Sequence, residues 1–88
     1  MSYKVEISKG ASKQLKKLSS ELQERIQVKI DDLATELRPN EVKKLKNREY
    51  GYRIRVGDYR ILYDILDDIL LVTVVEIGHR SKIYKDES

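Results

Sequence analysis

The sequence predicts an α+β domain of two layers, in which a twisted, mainly antiparallel sheet is covered on one face by a helix hairpin. Three observations predict it. Apolar residues between positions 9 and 37 recur with helical spacing. Between positions 50 and 77 they alternate with polar residues at period two. Two-residue turn signals then divide this second half into three strands, giving the order β-α-α-β-β-β in a single domain over residues 1–88.

The first strand is the alternation of Tyr3, Val5 and Ile7 with Lys4 and Glu6. Ser8 can cap a helix over about residues 9–18, where Ala11, Leu15 and Leu18 share a face and Lys9, Lys13, Lys16 and Lys17 form the outer one. Ser20 and Gln23 fit a capping box. Leu22, Ile26, Ile30, Leu33 and Leu37 then step by four or three along a second helix, which Pro39 stops. The short break at Ser19-Ser20 implies that the two helices run antiparallel.

Residues 50–56, 59–66 and 69–77 read as the remaining strands. Gly57-Asp58 suits a type II′ turn, and Asp67-Asp68 reads as a second two-residue turn. Gly78 ends the last strand, and the tail from His79 to Ser88 has room for one or two turns of helix. The position of the first strand in the sheet does not follow from these patterns.

Composition narrows the function. There is no cysteine and only one histidine, His79, so thiolate sites and histidine clusters are excluded and no metal or other cofactor is expected. No apolar run approaches the ~20 residues of a membrane span, and no apolar leader precedes residue 10, so a cytoplasmic location without membrane contact is expected. Net charge is only +3, yet residues 42–60 hold seven bases and two acids. Such a segment in a nearly neutral chain points to an anionic partner.

Hairpin register sharpens the point. If Val56 faces Tyr59, then Arg55 faces Arg60, Arg53 faces Leu62, and Tyr52, Ile54, Val56, Tyr59, Ile61 and Tyr63 line the core face. The other face holds Arg53, Arg55 and Arg60, with Leu62, Thr73 and Val75 beside them. Continuing the register places Leu70 opposite Ile65, Val72 opposite Tyr63 and Val74 opposite Ile61, so that Ile77 emerges beside Asp58. Like charges directly opposite one another weaken a sheet. Two explanations stand: neutralisation by Asp64, Glu76, Asp86 or Glu87, or a bound anion, for which the arginine fork is suited. Arg80 and Tyr84, four apart, would share one face of a helical turn above the same site.

No Gly-rich phosphate loop, Ser/His/Asp set or carboxylate pair is present. Arginines with a tyrosine can still promote one reaction. An RNA 2′-hydroxyl attacks its adjacent phosphate, cations stabilise the charge that builds on the phosphate oxygens, and the substrate supplies the nucleophile without a metal. Tyrosine can stack on an unpaired base.

The segments KKLKNREYGYRIRVGDYRILYDI and LLVTVVEIGHR, the tyrosine in SKIYK and the KQLKKL of the first helix together resemble the RelE branch of the RelE/ParE toxin superfamily, over nearly the whole chain. The resemblance implies a toxin of a type II toxin–antitoxin system that cleaves messenger RNA in the ribosomal A site by the 2′-hydroxyl route. It implies a RelB-type antitoxin as partner, and contact with operator DNA only through the antitoxin complex. It further implies that Arg53 and Arg55 fill two basic strand positions of the site, that Arg60 contacts the phosphate, that Arg80 protonates the leaving group and that Tyr84 stacks on or orients the substrate. Lys43, Lys44 and Lys46 would lie along a ribosomal RNA contact surface, with His79 and Lys82 as further RNA contacts.

Some members carry lysine at the two strand positions, one of them assigned as general base. Arginine stays protonated at cellular pH, so here Tyr84 or His79 takes the proton, or charge stabilisation and positioning dominate; imidazole is the side chain best suited to acid–base work near neutrality. Two other functions fit the same fold: a ParE-like toxin that inhibits DNA gyrase without catalysis, and a non-catalytic RNA-binding module.

Overall fold

The computed structural model describes residues 3–36, 42–45 and 51–79. Its elements are β1 (Lys4–Ile7), α1 (Lys9–Lys16), α2 (Ser20–Asp32), β2 (Lys43–Lys44), β3 (Gly51–Val56), β4 (Tyr59–Leu66), a 3-10 turn at Asp67–Ile69 and β5 (Leu71–His79). The strands form one sheet in the order β1-β5-β4-β3-β2. β1 lies parallel to β5 at one edge, and every other pairing is antiparallel. β2 adds a short edge strand to the predicted outline; two residues are too few to leave a periodic signature.

Both helices start on serine caps. Ser8 Oγ accepts from the Ala11 N–H at 3.1 Å. Ser19, one residue earlier than expected, accepts from Leu22 at 3.3 Å. Gln23 is drawn away from a capping box because its Nε2 donates instead to the Leu18 and Lys16 carbonyls, at 2.9 and 3.4 Å. It thereby satisfies acceptors left open at the end of α1, a helix that stops two residues short of the predicted 18. α2 closes at Asp32 with Leu33 as its cap, and a turn over 33–35 brings the Ala34 carbonyl to the Tyr3 N–H at 2.8 Å. The helix therefore ends five residues before the predicted Leu37, because the chain turns at 33–35 to meet β1; Leu37, Pro39 and the tail helix lie outside the described residues.

The core is the predicted one except at Leu70, which lies exposed in the turn before β5. Ile54, Val56, Ile61 and Tyr63 face Ala11, Ile26, Ile30 and Leu33, with Tyr52 and Tyr59 at the margin. Full burial of each large aliphatic side chain contributes about 1.5–3 kcal/mol. Leu45 and Leu62, with Val75 against them, form a smaller cluster on the reverse of the sheet.

The β3–β4 register agrees with the sequence reading at every pair from Tyr52↔Tyr63 to Val56↔Tyr59. Gly57 takes φ +60° at the first turn position, as a type II′ turn requires. The β4–β5 register departs from it. The connection is not a two-residue turn: Asp67–Ile69 form a 3-10 turn and Leu70 takes φ 53°. The Leu70 N–H closes on the Asp67 carbonyl at 3.3 Å, and the Tyr3 hydroxyl donates to Asp67 Oδ1 at 2.6 Å. The strand therefore starts at Leu71, and the pairs are Ile65↔Val72 and Tyr63↔Val74 rather than Ile65↔Leu70 and Tyr63↔Val72.

A second departure follows. Between Leu62↔Glu76 and Tyr63↔Val74, β5 holds an extra residue, Val75, a β-bulge. Around the bulge, where β1 has ended, backbone groups of β5 find partners in the helix layer: the Ile77 N–H donates to Gln14 Oε1 at 2.8 Å and Ser8 Oγ donates to the Val75 carbonyl at 3.2 Å. The Ser8 N–H donates to the Val74 carbonyl at 2.8 Å, continuing the parallel β1–β5 pairing. Beyond the bulge Ile77 pairs with Ile61, not beside Asp58, and the strand runs through Gly78 to His79.

Two stability changes are expected. Gln14→Ala orphans the Ile77 N–H and lowers unfolding free energy by about 1–3 kcal/mol in urea titration, with faster amide exchange at Ile77. Gly57→Ala places a Cβ at positive φ and costs about 1 kcal/mol by the same measurement.

Candidate functional site

Register fixes which side chains share the face of the sheet away from the helices. One row across it runs Lys43, Arg53, Leu62, Glu76, and the next runs Arg55, Arg60, Gly78. A third row, on the other side of the first, runs Gly51, Asp64, Thr73, Glu6. With strands about 4.8 Å apart and about 7 Å between alternate residues, Lys43, Arg53, Arg55 and Arg60 stem from a patch of roughly 10 by 7 Å of backbone. The three acids lie to one side of it, so the face is basic toward the Gly57-Asp58 turn and acidic toward β1.

The three arginines differ in exposure. Arg55 is exposed, and its Nε donates to the Gly57 carbonyl at 3.2 Å, which bends the guanidinium along the turn. Arg53 is half-buried, with Nη1 shielded from solvent. Arg60 is not an open side chain, as the strand pattern suggested: it is only 4% exposed, and its Nη1 donates to the Tyr59 carbonyl at 3.4 Å. The burial has a local reason. Its cross-strand neighbour on β5 is Gly78, which leaves the guanidinium room beside the sheet. A guanidinium held this way is a fixed positive charge rather than a mobile one.

Two predicted contact residues lie on the other face. Lys44 pairs with Tyr52, so it faces the helix side, where Nζ sits 4.9 Å from the Tyr52 ring centroid. That ring stacks on Tyr63 at 6.0 Å between centroids. Lys44 thus makes a cation–π contact, while its chain neighbour Lys43 joins the arginines. His79 pairs with Tyr59 and meets its ring edge-on at 5.6 Å, again on the helix side. The bulge explains the placement, because one extra residue inverts the face of everything after it. The structure therefore brings together Arg53, Arg55, Arg60 and Lys43 and separates Lys44 and His79 from them. Arg80, Tyr84, Lys46 and Lys82 lie outside the described residues.

Two parts of the site escaped the sequence reading. Leu45 joins Leu62 and Val75 as an apolar floor beside Arg53; its signal was the lone apolar residue between Lys44 and Lys46. The inversion after Val75 had a clearer sign: in Val72-Thr73-Val74-Val75-Glu76-Ile77 strict alternation would bury Glu76 and expose Ile77. Among the described residues no three His, Asp or Glu side chains are grouped to hold a metal ion. No helix among them is long and apolar enough to cross a membrane.

This geometry can hold an anion, through one exposed, one half-buried and one buried guanidinium with an ammonium group alongside. Comparison with known proteins agrees in fold and in sequence. The chain is 33% identical over 98% of its length to a protein of Methanocaldococcus jannaschii named toxin RelE1, covering 99% of that protein. It is 28% identical over 98% of its length to the mRNA interferase toxin RelE of Escherichia coli, covering 94% of it. It superposes on the toxin chain of an archaeal RelE–RelB complex from Pyrococcus horikoshii with a TM-score of 0.82 at 30% identity, over 93% of this chain and 99% of that one. A family model described as the ParE toxin of type II toxin–antitoxin systems matches residues 5–84. The chain therefore belongs to this toxin family, within the RelE/ParE superfamily.

Proposed function

We propose that this toxin is a RelE-type endoribonuclease that cuts messenger RNA in the ribosomal A site and is silenced by a RelB-type antitoxin. The observation that carries the reading is the convergence of Arg53, Arg55, Arg60 and Lys43 on one sheet face. Like charges set directly opposite, as Arg55 and Arg60 are, weaken a sheet by a fraction of a kcal/mol. A phosphate that gains negative charge during reaction offsets that repulsion.

In this reading the 2′-hydroxyl gives its proton to water as its oxygen attacks the adjacent phosphorus, the P–O5′ bond breaks, the 5′-oxygen takes up a proton as it leaves, and a cyclic 2′,3′-phosphate remains. Arg60, already immobile, meets the phosphate charge without reorganising, and exposed Arg55 completes the clamp as RNA enters. Arg53 and Lys43 hold the neighbouring backbone. Leaving-group protonation falls to Arg80, and Tyr84 stacks on or orients the nucleotide. His79, on the far face at the end of β5, serves as a flanking contact rather than as the base. The substrate supplies the nucleophile, so the reaction needs no metal. The partner assignment rests on the RelE–RelB complex among the similar structures. Operator contact belongs to the antitoxin complex, and the toxin acts in the cytoplasm, where ribosomes are.

Primer extension on mRNA-programmed ribosomes tests the proposal. Wild type should cut within the A-site codon; Arg60→Ala and Arg80→Ala should each lower the cleavage rate by about 10²–10³-fold. Undiminished cutting by both folded variants overturns the site assignment. Intact messenger RNA beside accumulating gyrase–DNA breaks in arrested cells overturns the activity in favour of gyrase inhibition.

A further inference from the structure

The outer face of α1 has no part in the site described above. Lys9, Lys13, Lys16 and Lys17 are all exposed. At 3.6 residues per turn they fall within about 100° of the helix circumference, with a rise of about 6 Å from Lys9 to Lys13. Ala11, Leu15 and Leu18 occupy the opposite side and pack into the core, so the lysines point away from the sheet. They lie on the reverse of the molecule from Arg53, Arg55 and Arg60. No acid occurs between residues 9 and 20.

Helix stability does not account for this stripe. Lys9–Lys13, Lys13–Lys16 and Lys13–Lys17 are like-charge pairs at spacings where they repel. Lys9 occupies the first turn, where the helix dipole disfavours a cation and where no acid compensates it. Only the last-turn lysines are favourably placed.

We propose that this lysine face is a second RNA-binding surface, one that grips the phosphate backbone of double-stranded RNA while the arginine face holds the single strand to be cut. Three features favour this partner. Ammonium groups gathered on one helix face with no acid among them suit the phosphates of a nucleic-acid backbone and read no sequence. A membrane-lying helix would need apolar residues flanking its cations, and those of α1 are committed to the core. A protein interface is anchored by aromatic or arginine side chains, and this face has none. The inference rests on the endoribonuclease reading for its biological setting, in which folded ribosomal RNA supplies the duplex.

The test measures binding of the full chain to a short RNA duplex and to vacant ribosomes across a salt series, for wild type and a variant with Lys9, Lys13, Lys16 and Lys17 each changed to Gln. The variant should bind both probes at least 10-fold more weakly, and the slope of log affinity against log salt should shrink by about 3. A variant with the same four positions changed to Arg should bind like wild type. On programmed ribosomes the Gln variant should raise KM and leave kcat unchanged. The Lys13→Gln, Lys17→Gln pair replaces the fourfold variant if circular dichroism shows loss of helix. Wild-type affinity in the Gln variants, or equal loss in the Arg variant, overturns the proposal. Lysine-dependent duplex binding without ribosome binding by wild type supports this surface and overturns the ribosomal setting instead.

Discussion

The placement of the site depends on one extra residue in β5. Before Val75 the strand directs Val72 and Val74 to the core; after it, Ile77 takes the core position and Gly78 comes opposite Arg60. An unbroken ladder would carry Glu76 into the apolar layer, where a carboxylate pays heavily in lost hydration. It would also set the Ile77 side chain against Arg60. The bulge is held from the other layer, by Gln14 on the Ile77 N–H and Ser8 on the Val75 carbonyl. Helix α1 and its cap thereby fix the register of the strand that gives Arg60 its space.

The same feature separates what was legible in the sequence from what was not. The β3–β4 hairpin was read pair by pair because Gly57 enforces a two-residue turn, and a tight turn leaves no freedom of register. The second hairpin had no such constraint. Its turn spans Asp67 to Leu70, and Leu70 accepts a left-handed conformation that its side chain does not advertise. The longer turn shifts the register by an even number of residues, so Val72 and Val74 keep the core face. The bulge shifts it by one and carries His79 to the helix side. Lys43 and Lys44 show the limit in its simplest form: charge density locates the basic segment, but which of two adjacent lysines joins the arginines is decided by a two-residue strand.

The arrangement of the basic face bears on how such a site can work without lysine at the two strand positions. Leu45, Leu62 and Val75 form an apolar floor next to Arg53, and Arg60 is withdrawn from solvent. Low local polarisability strengthens the attraction of each guanidinium for an anion, and immobility means that no reorganisation is needed when the phosphate gains charge. Both effects act through charge and position, and neither asks a side chain to exchange a proton. Arginine, which keeps its charge and presents its donors in a plane, is better suited to that task than lysine. An imidazole on the opposite face, against Tyr59, is consistent with the same division. In the proposed reaction the sheet face would supply fixed positive potential and no proton.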